Sequence, residues 1–203
     1  MVDYAGAIRK PFQDLKALAI GIVLMIAGAI LSLIVIGVIP LLAVEGYLVR
    51  TARESLKGNN KIVQWGDWVG LIIDGIKAIV IVLVYLIPAI IAFVLTVGVG
   101  ILSGNTTAAI TALLGAGIIS LILAILGGFF GSAGVLNFAG SGNIMDGFAF
   151  GAILKKSITG KYIIGFIVAA IVSIVAGVIP LLSILLVFPA SVASITILSE
   201  SYK

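Results

Sequence analysis

Gly37-Val38-Ile39-Pro40-Leu41-Leu42 returns unchanged as Gly177-Val178-Ile179-Pro180-Leu181-Leu182 in a chain of 203 residues. Each copy lies in a stretch without a single charge: 17–44 holds the first, and 162–199 holds the second. A third uncharged stretch covers 78–145. All the charges, 12 Lys and Arg with 8 Asp and Glu, fall in 1–16, 45–77, 146–161 and 200–203. A bilayer-crossing helix takes about 20 apolar residues. At about 1.5 Å per residue, 162–199 drawn as one helix would span nearly twice the hydrocarbon thickness. It must fold back, and the hexapeptide is the place for it. Glycine ends a helix easily, and proline suits the first turn of the next. The same hexapeptide argues for a reversal near 37–40. The competing reading is a proline kink inside a continuous helix, which membrane helices tolerate.

Working outward, 78–145 is too long for one crossing and suits two. Its turn chemistry lies at Ser103-Gly104-Asn105-Thr106-Thr107. The expectation is an all-α integral membrane protein of one domain, with six helices in three antiparallel hairpins. The helices run over about 13–37, 40–57, 69–102, 107–139, 154–178 and 180–199. The hairpins cover about 13–57, 69–139 and 154–199. With three hairpins, every Lys and Arg lies on one side of the membrane. With four crossings they split between the sides. The positive-inside rule favours the first arrangement and makes that side cytoplasmic, both termini included. The chain would then be a multi-pass protein of the cell membrane. The second helix is the weak member, because Glu45 and Arg50 interrupt it. It crosses incompletely or lets Arg50 snorkel.

Composition sets limits. Hydrophobic residues make up 62% of the chain and charged residues 10%, and there is no Cys and no His. That removes thiolate nucleophiles, Ser-His-Asp triads within one chain and ordinary zinc sites. No phosphate-binding loop motif is present. Arg9, Lys10 and Lys16 precede an apolar run longer than a signal-peptide core, so that run reads as a retained first helix.

Each hairpin is introduced by a similar element. Asp3-Tyr4-Ala5-Gly6 resembles Asp67-Trp68-Val69-Gly70, and a looser copy begins at Asp146 and passes Phe150-Gly151. Aspartate caps helix N-termini, and the aromatic suits the membrane boundary. Three short amphipathic helices lying in the interface are therefore expected, one before each hairpin. Trp65 and Trp68 read as interfacial anchors. Small residues recur every fourth position at Ala108, Ala112, Ala116, Ser120, Ala124, Gly128 and Ser132. They do so again at Gly165, Ala169, Ser173 and Gly177. Such ridges pack helices together, or make a homo-oligomer interface.

The polar candidates are few. Glu45, Asp74 and Lys77 are the ionisable groups closest to membrane depth, where charge is costly and often functional. Asp74 and Lys77 are spaced to pair, and Glu45 could reach Lys77 across helices. Arg50 and Glu54 are four apart and could share a helix face. Arg50, Arg53, Lys57 and Lys61 form a basic cytoplasmic patch, which meets lipid phosphates or a protein partner.

Gly46-Tyr47-Leu48-Val49-Arg50 through Gly58, then Trp65-Gly66-Asp67-Trp68, Asp74-Gly75 and Tyr85-Leu86-Ile87-Pro88, resembles a family of small archaeal and bacterial membrane proteins. It is the domain-of-unknown-function family numbered 4013. The resemblance implies an integral membrane protein, archaeal in origin. It carries no activity, substrate or catalytic residue.

The leading functional expectation is a non-enzymatic bundle, either an accessory or scaffold subunit or a lipid-associated protein with a basic cytoplasmic face. Its partners are membrane lipids, with a protein at that face or a second copy as further options, and no nucleic acid or cofactor. The alternative is a small transporter or channel for an apolar or lipid-like solute. Pro40, Pro88, Pro180 and Pro189 suit it, since broken helices line transport sites.

Overall fold

The computed structural model describes residues 2–31, 37–59, 61–102, 104, 106–178 and 180–203, and every regular element among them is helical. The α-helices in chain order are α1 (Tyr4–Arg9), α2 (Leu15–Leu31), α3 (Val38–Leu56), α4 (Trp68–Leu102), α5 (Thr106–Ser141), α6 (Phe150–Ser157), α7 (Gly160–Val178) and α8 (Pro180–Tyr202). Two 3-10 turns, Lys10–Gln13 and Ile144–Phe148, precede α2 and α6.

The helix boundaries follow local chemistry. Asp3 caps α1 by accepting the Gly6 N–H at 2.8 Å. Asp67 caps α4 by accepting the Gly70 N–H at 3.2 Å. It holds a left-handed φ of 49°, unusual for a residue with a side chain. The third expected cap, Asp146, does not act as one. Asn143 caps the 3-10 turn instead, and α6 starts without a side-chain cap. Pro40 lies in the first turn of α3, and Pro180 is the first residue of α8. The chain therefore breaks at both hexapeptides, with α2 packed on α3 and α7 on α8. Ser103, Asn105 and Ile179, which belong to the expected turns, lie outside the described residues. Gly104 has φ 61° between α4 and α5.

Two expectations are met only in part. Six helices in three hairpins are expected, the second helix being the weak member. Among the described residues four are long and apolar enough to cross a membrane: Trp68–Gly100, Gly117–Ser141, Gly160–Val178 and Leu185–Tyr202. A fifth results if Tyr4–Gln13 and Leu15–Leu31, which meet at 84°, count as one broken span. Helix α3 is not among them, because Glu45, Arg50, Arg53 and Glu54 leave it without a continuous apolar length. The separate short helices among the described residues also number two rather than three. Helix α1 precedes α2 and α6 precedes α7, but Trp68 to Leu102 is unbroken.

Packing is antiparallel between sequential long helices. The tightest crossing is α3 on α4. A Cβ on Gly46 would overlap the Leu71 carbonyl, and one on Gly75 would overlap that of Leu42. Along α5, Gly127 and Gly134 approach Tyr85 and Ile81 of α4. On α7, Gly165 meets Ser201, Ala169 accepts from Ser194 and Ser173 reaches Ser194 at 3.1 Å, so three members of the expected α7 ridge face α8, while a Cβ on Gly177 would meet no atom of the described residues within 4 Å. Helix α8 is central: 61% of its apolar window is buried, against 17% in α4. Outward-facing side chains such as Leu95, Val99, Leu114, Ile118 and Ile174 are more than half exposed. Small closely packed residues inside and large apolar ones outside are the pattern that lipid favours.

Candidate functional site

The charged segments meet at one end of the bundle. The Asp3 N–H donates to Glu200 at 2.8 Å, which ties the first residues to α8. Lys10 is buried under the end of α3, and its Nζ donates to Ser55 Oγ at 2.8 Å. Gln64 donates to Asp14 at 2.9 Å, and Trp65 Nε1 to the Ala17 carbonyl at 2.8 Å. Trp65 stacks on Tyr47 with centroids 4.2 Å apart and packs near Phe188. It holds the 61–66 segment against α2, α3 and α8. Trp68 keeps the exposure expected of an anchor.

Arg50 and Asp74 organise this end. Arg50 donates to Asp67 Oδ2 at 2.6 Å and to the Gly66 carbonyl at 3.1 Å. Its Nε lies 3.7 Å from Asp74, and Arg53 Nη1 lies at the same distance from that carboxylate. Arg53 also donates to the Ala139 carbonyl of α5 at 3.1 Å. Asp74 thus pairs with the arginines of α3 and not with Lys77. Glu54 takes Lys57 at 2.9 Å and Asn59 at 2.9 Å, instead of Arg50. The Arg50 hydrogen bond, helped by the Gly70 N–H, holds the Asp67 carboxyl below its usual range. Lys57 and then Asn59 do the same for Glu54. The expected basic patch is brought together: Arg50, Arg53, Lys57 and Lys61 border one groove of about 540 Å³. Glu54 borders it too, so its charge is partly cancelled.

Glu45 and Lys77 are not brought together. Lys77 Nζ stands 5.8 Å from the centroid of the Phe138 ring. Glu45 has no ion pair or hydrogen bond among the described residues. It borders a cavity of about 300 Å³ whose walls include Val49, Ala78, Val82, Gly128 and Ile195. Ser132 is its other polar neighbour there, already hydrogen-bonded to Tyr162 at 2.8 Å. Gly128 and Ser132, read as ridge residues, therefore face this cavity. The α4 contact falls on Gly127 and Gly134 instead. Ser120 is buried and its hydroxyl finds no partner among the described residues. The side chains of Ala108, Ala112 and Ala116 lie outside those described.

A second basic groove went unremarked in the sequence. Lys155, Lys156, Lys161 and Lys203 border a depression of about 560 Å³ where α6, α7 and α8 meet. Lys156 lies over the Tyr202 ring at 4.9 Å. The available signal was a lysine pair ending a short amphipathic helix, with a third lysine at the next helix start. Among the described residues, no group of His, Cys, Asp or Glu could hold a metal ion.

No curated protein and no solved structure matches the chain. A family model described as a protein of unknown function, DUF4013, matches residues 29–188, which include every polar candidate on α3 and α4 and the lysines of α6 and α7. The chain belongs to the DUF4013 family.

Proposed function

We propose that this protein is a non-enzymatic, multi-pass bundle of the cell membrane that works as a lipid-associated accessory or scaffold. Its charged end, with both termini, faces the cytoplasm. One observation carries the reading: apolar helices with exposed large side chains run away from a single end where the four charged segments meet, Lys156 over the Tyr202 ring included. Lipid satisfies the apolar flanks, and anionic headgroups favour the basic end. An alkaline carbonate wash of membranes containing the full chain tests it. The protein should stay in the pellet. Release into the supernatant would overturn membrane embedding.

The Glu45 cavity favours a second reading, passage of an apolar or lipid-like solute carrying a polar head. A lone carboxylate in an apolar wall selects a solute with a cationic or hydrogen-bond-donating end. In proteoliposomes loaded with a lipophilic amine dye, the native chain should speed efflux and Glu45→Gln should slow it. Equal leakage from protein-free vesicles would remove the transport reading.

A further inference from the structure

The α6 groove differs from the Arg50 groove in charge. Around Arg50, three carboxylates answer the cations: Glu54, Asp67 and Asp74. Around α6, among the described residues, no carboxylate side chain lines the groove. Its polar lining is Lys155, Lys156, Lys161, Lys203, Thr159 and Ser201. Like charges crowded without a counter-charge repel one another, so an anion placed among them is stabilised. The first turn of α7 starts at the same place, after Thr159, whose Oγ1 accepts the Tyr162 N–H at 3.4 Å, and it presents the positive end of the helix there.

The other side of α6 is apolar. Phe150, Leu154 and Ile158 recur every four residues and are 59%, 49% and 61% exposed. Phe150 and Leu154, with Ile153, also border a cavity of about 510 Å³ against α4 and α5, near Tyr85, Pro88 and Phe130. A short helix thus presents cations along one side and an open apolar stripe along the next. A ligand that fits both is itself amphipathic, with an anionic phosphate head and hydrocarbon chains.

We propose that the groove between α6, α7 and α8 is the headgroup site of an anionic phospholipid, with its acyl chains along the Phe150–Leu154–Ile158 stripe. The inference rests on the membrane-embedded reading, and it names one particular lipid site on that embedded surface. Lys155, Lys156 and Lys161 bind the phosphate. Lys156, held over Tyr202, marks its inner edge. Basic residues near a membrane attract anionic lipid in general. A site differs from that general attraction because its position matters and not only its charge.

Native mass spectrometry of the full chain in mild detergent separates the two. Phosphatidylglycerol and phosphatidylcholine with identical acyl chains are offered together. The native chain should retain phosphatidylglycerol preferentially. Lys155→Gln with Lys156→Gln and Lys161→Gln should lower that preference by about tenfold or more. A control with the same charge loss, Arg9→Gln with Lys16→Glu, should leave it within about twofold. All five positions are exposed, so both variants keep the fold. Equal losses in the two variants would overturn the site in favour of net charge alone. Glycerol phosphate added in excess should not displace the lipid. Full displacement would overturn a lipid site and point to a soluble phosphate ligand. Binding of an acidic peptide but no phosphatidylglycerol would overturn it in favour of a protein surface. A chain that stays in membranes yet shows no lipid preference loses this inference and keeps the membrane reading.

Discussion

At the residue scale, the account turns on Asp74. Its carboxylate faces both Arg50 and Arg53, and its side chain is 15% exposed. Asp74→Asn removes the shared counter-charge and leaves two guanidinium groups side by side. The loss should fall between the ~1 kcal/mol of an exposed pair and the ~3–5 kcal/mol of a buried one. Differential scanning fluorimetry in detergent should read it as a lower melting temperature. Asp67→Asn should cost less, because the Asp67 side chain is 69% exposed. It should mainly change the acid limb. Asp67 and Glu54 have depressed folded pKa values, so their contribution is full above the unfolded value of about 4. It is lost as pH falls through the lower folded value. Melting temperature should therefore drop below about pH 4 in the native chain, and less steeply in the double change Asp67→Asn with Glu54→Gln. Glu45 and Lys77 face different neighbours, so a double-mutant cycle of Glu45→Gln and Lys77→Met should show coupling near zero. The residue types at this end were legible in the sequence, but the partners were not. Spacing along one helix suggested Asp74 with Lys77 and Arg50 with Glu54. The crossing of α3 on α4 placed the arginines nearer to Asp67 and Asp74.

At the element scale, the helices were legible because charge and turn residues bound them. The faces they use were less so. Helix α5 carries small residues at Ala124, Gly127, Gly128, Gly131, Ser132, Ala133 and Gly134, which give a close partner several registers to choose from. The four-residue ridge through Gly128 and Ser132 was one register, and α4 took another. On α3 and α4 the choice is narrower, since Gly46 and Gly75 sit where the partner's backbone leaves no room. Gly46→Ala or Gly75→Ala forces the helices apart. Overpacking costs about 1–3 kcal/mol in ordinary cores, and contact with backbone should put these changes at or above that range. Gly98→Ala has nothing within 4 Å of the new methyl. It should be neutral or stabilising by up to about 1 kcal/mol through helix propensity. Equal melting temperatures for Gly46→Ala and Gly98→Ala would mean that α3 and α4 do not cross on their glycines. The missing third short helix has a simple cause. Asp67 caps α4 directly, and nothing between Trp68 and Lys77 breaks the helix.

At the scale of the whole molecule, the central claim is that every charged segment lies on one membrane face, which is cytoplasmic. The clustering of charge in sequence pointed there. The hydrogen bonds joining Asp3 to Glu200 and Lys10 to Ser55, with Lys156 lying over the Tyr202 ring, bring those segments together at one end of the fold. A re-entrant α2–α3 pair that turns back inside the membrane does not alter this, because it returns the chain to the side it came from and leaves four full crossings, an even number. The native chain has no cysteine, so single cysteines report cleanly. In whole cells treated with a membrane-impermeant maleimide, Gly104→Cys should label from outside. Lys61→Cys and Lys203→Cys should label only after the membrane is opened. If Lys61→Cys and Lys203→Cys react from opposite sides, the charged segments do not share a face and the account is wrong.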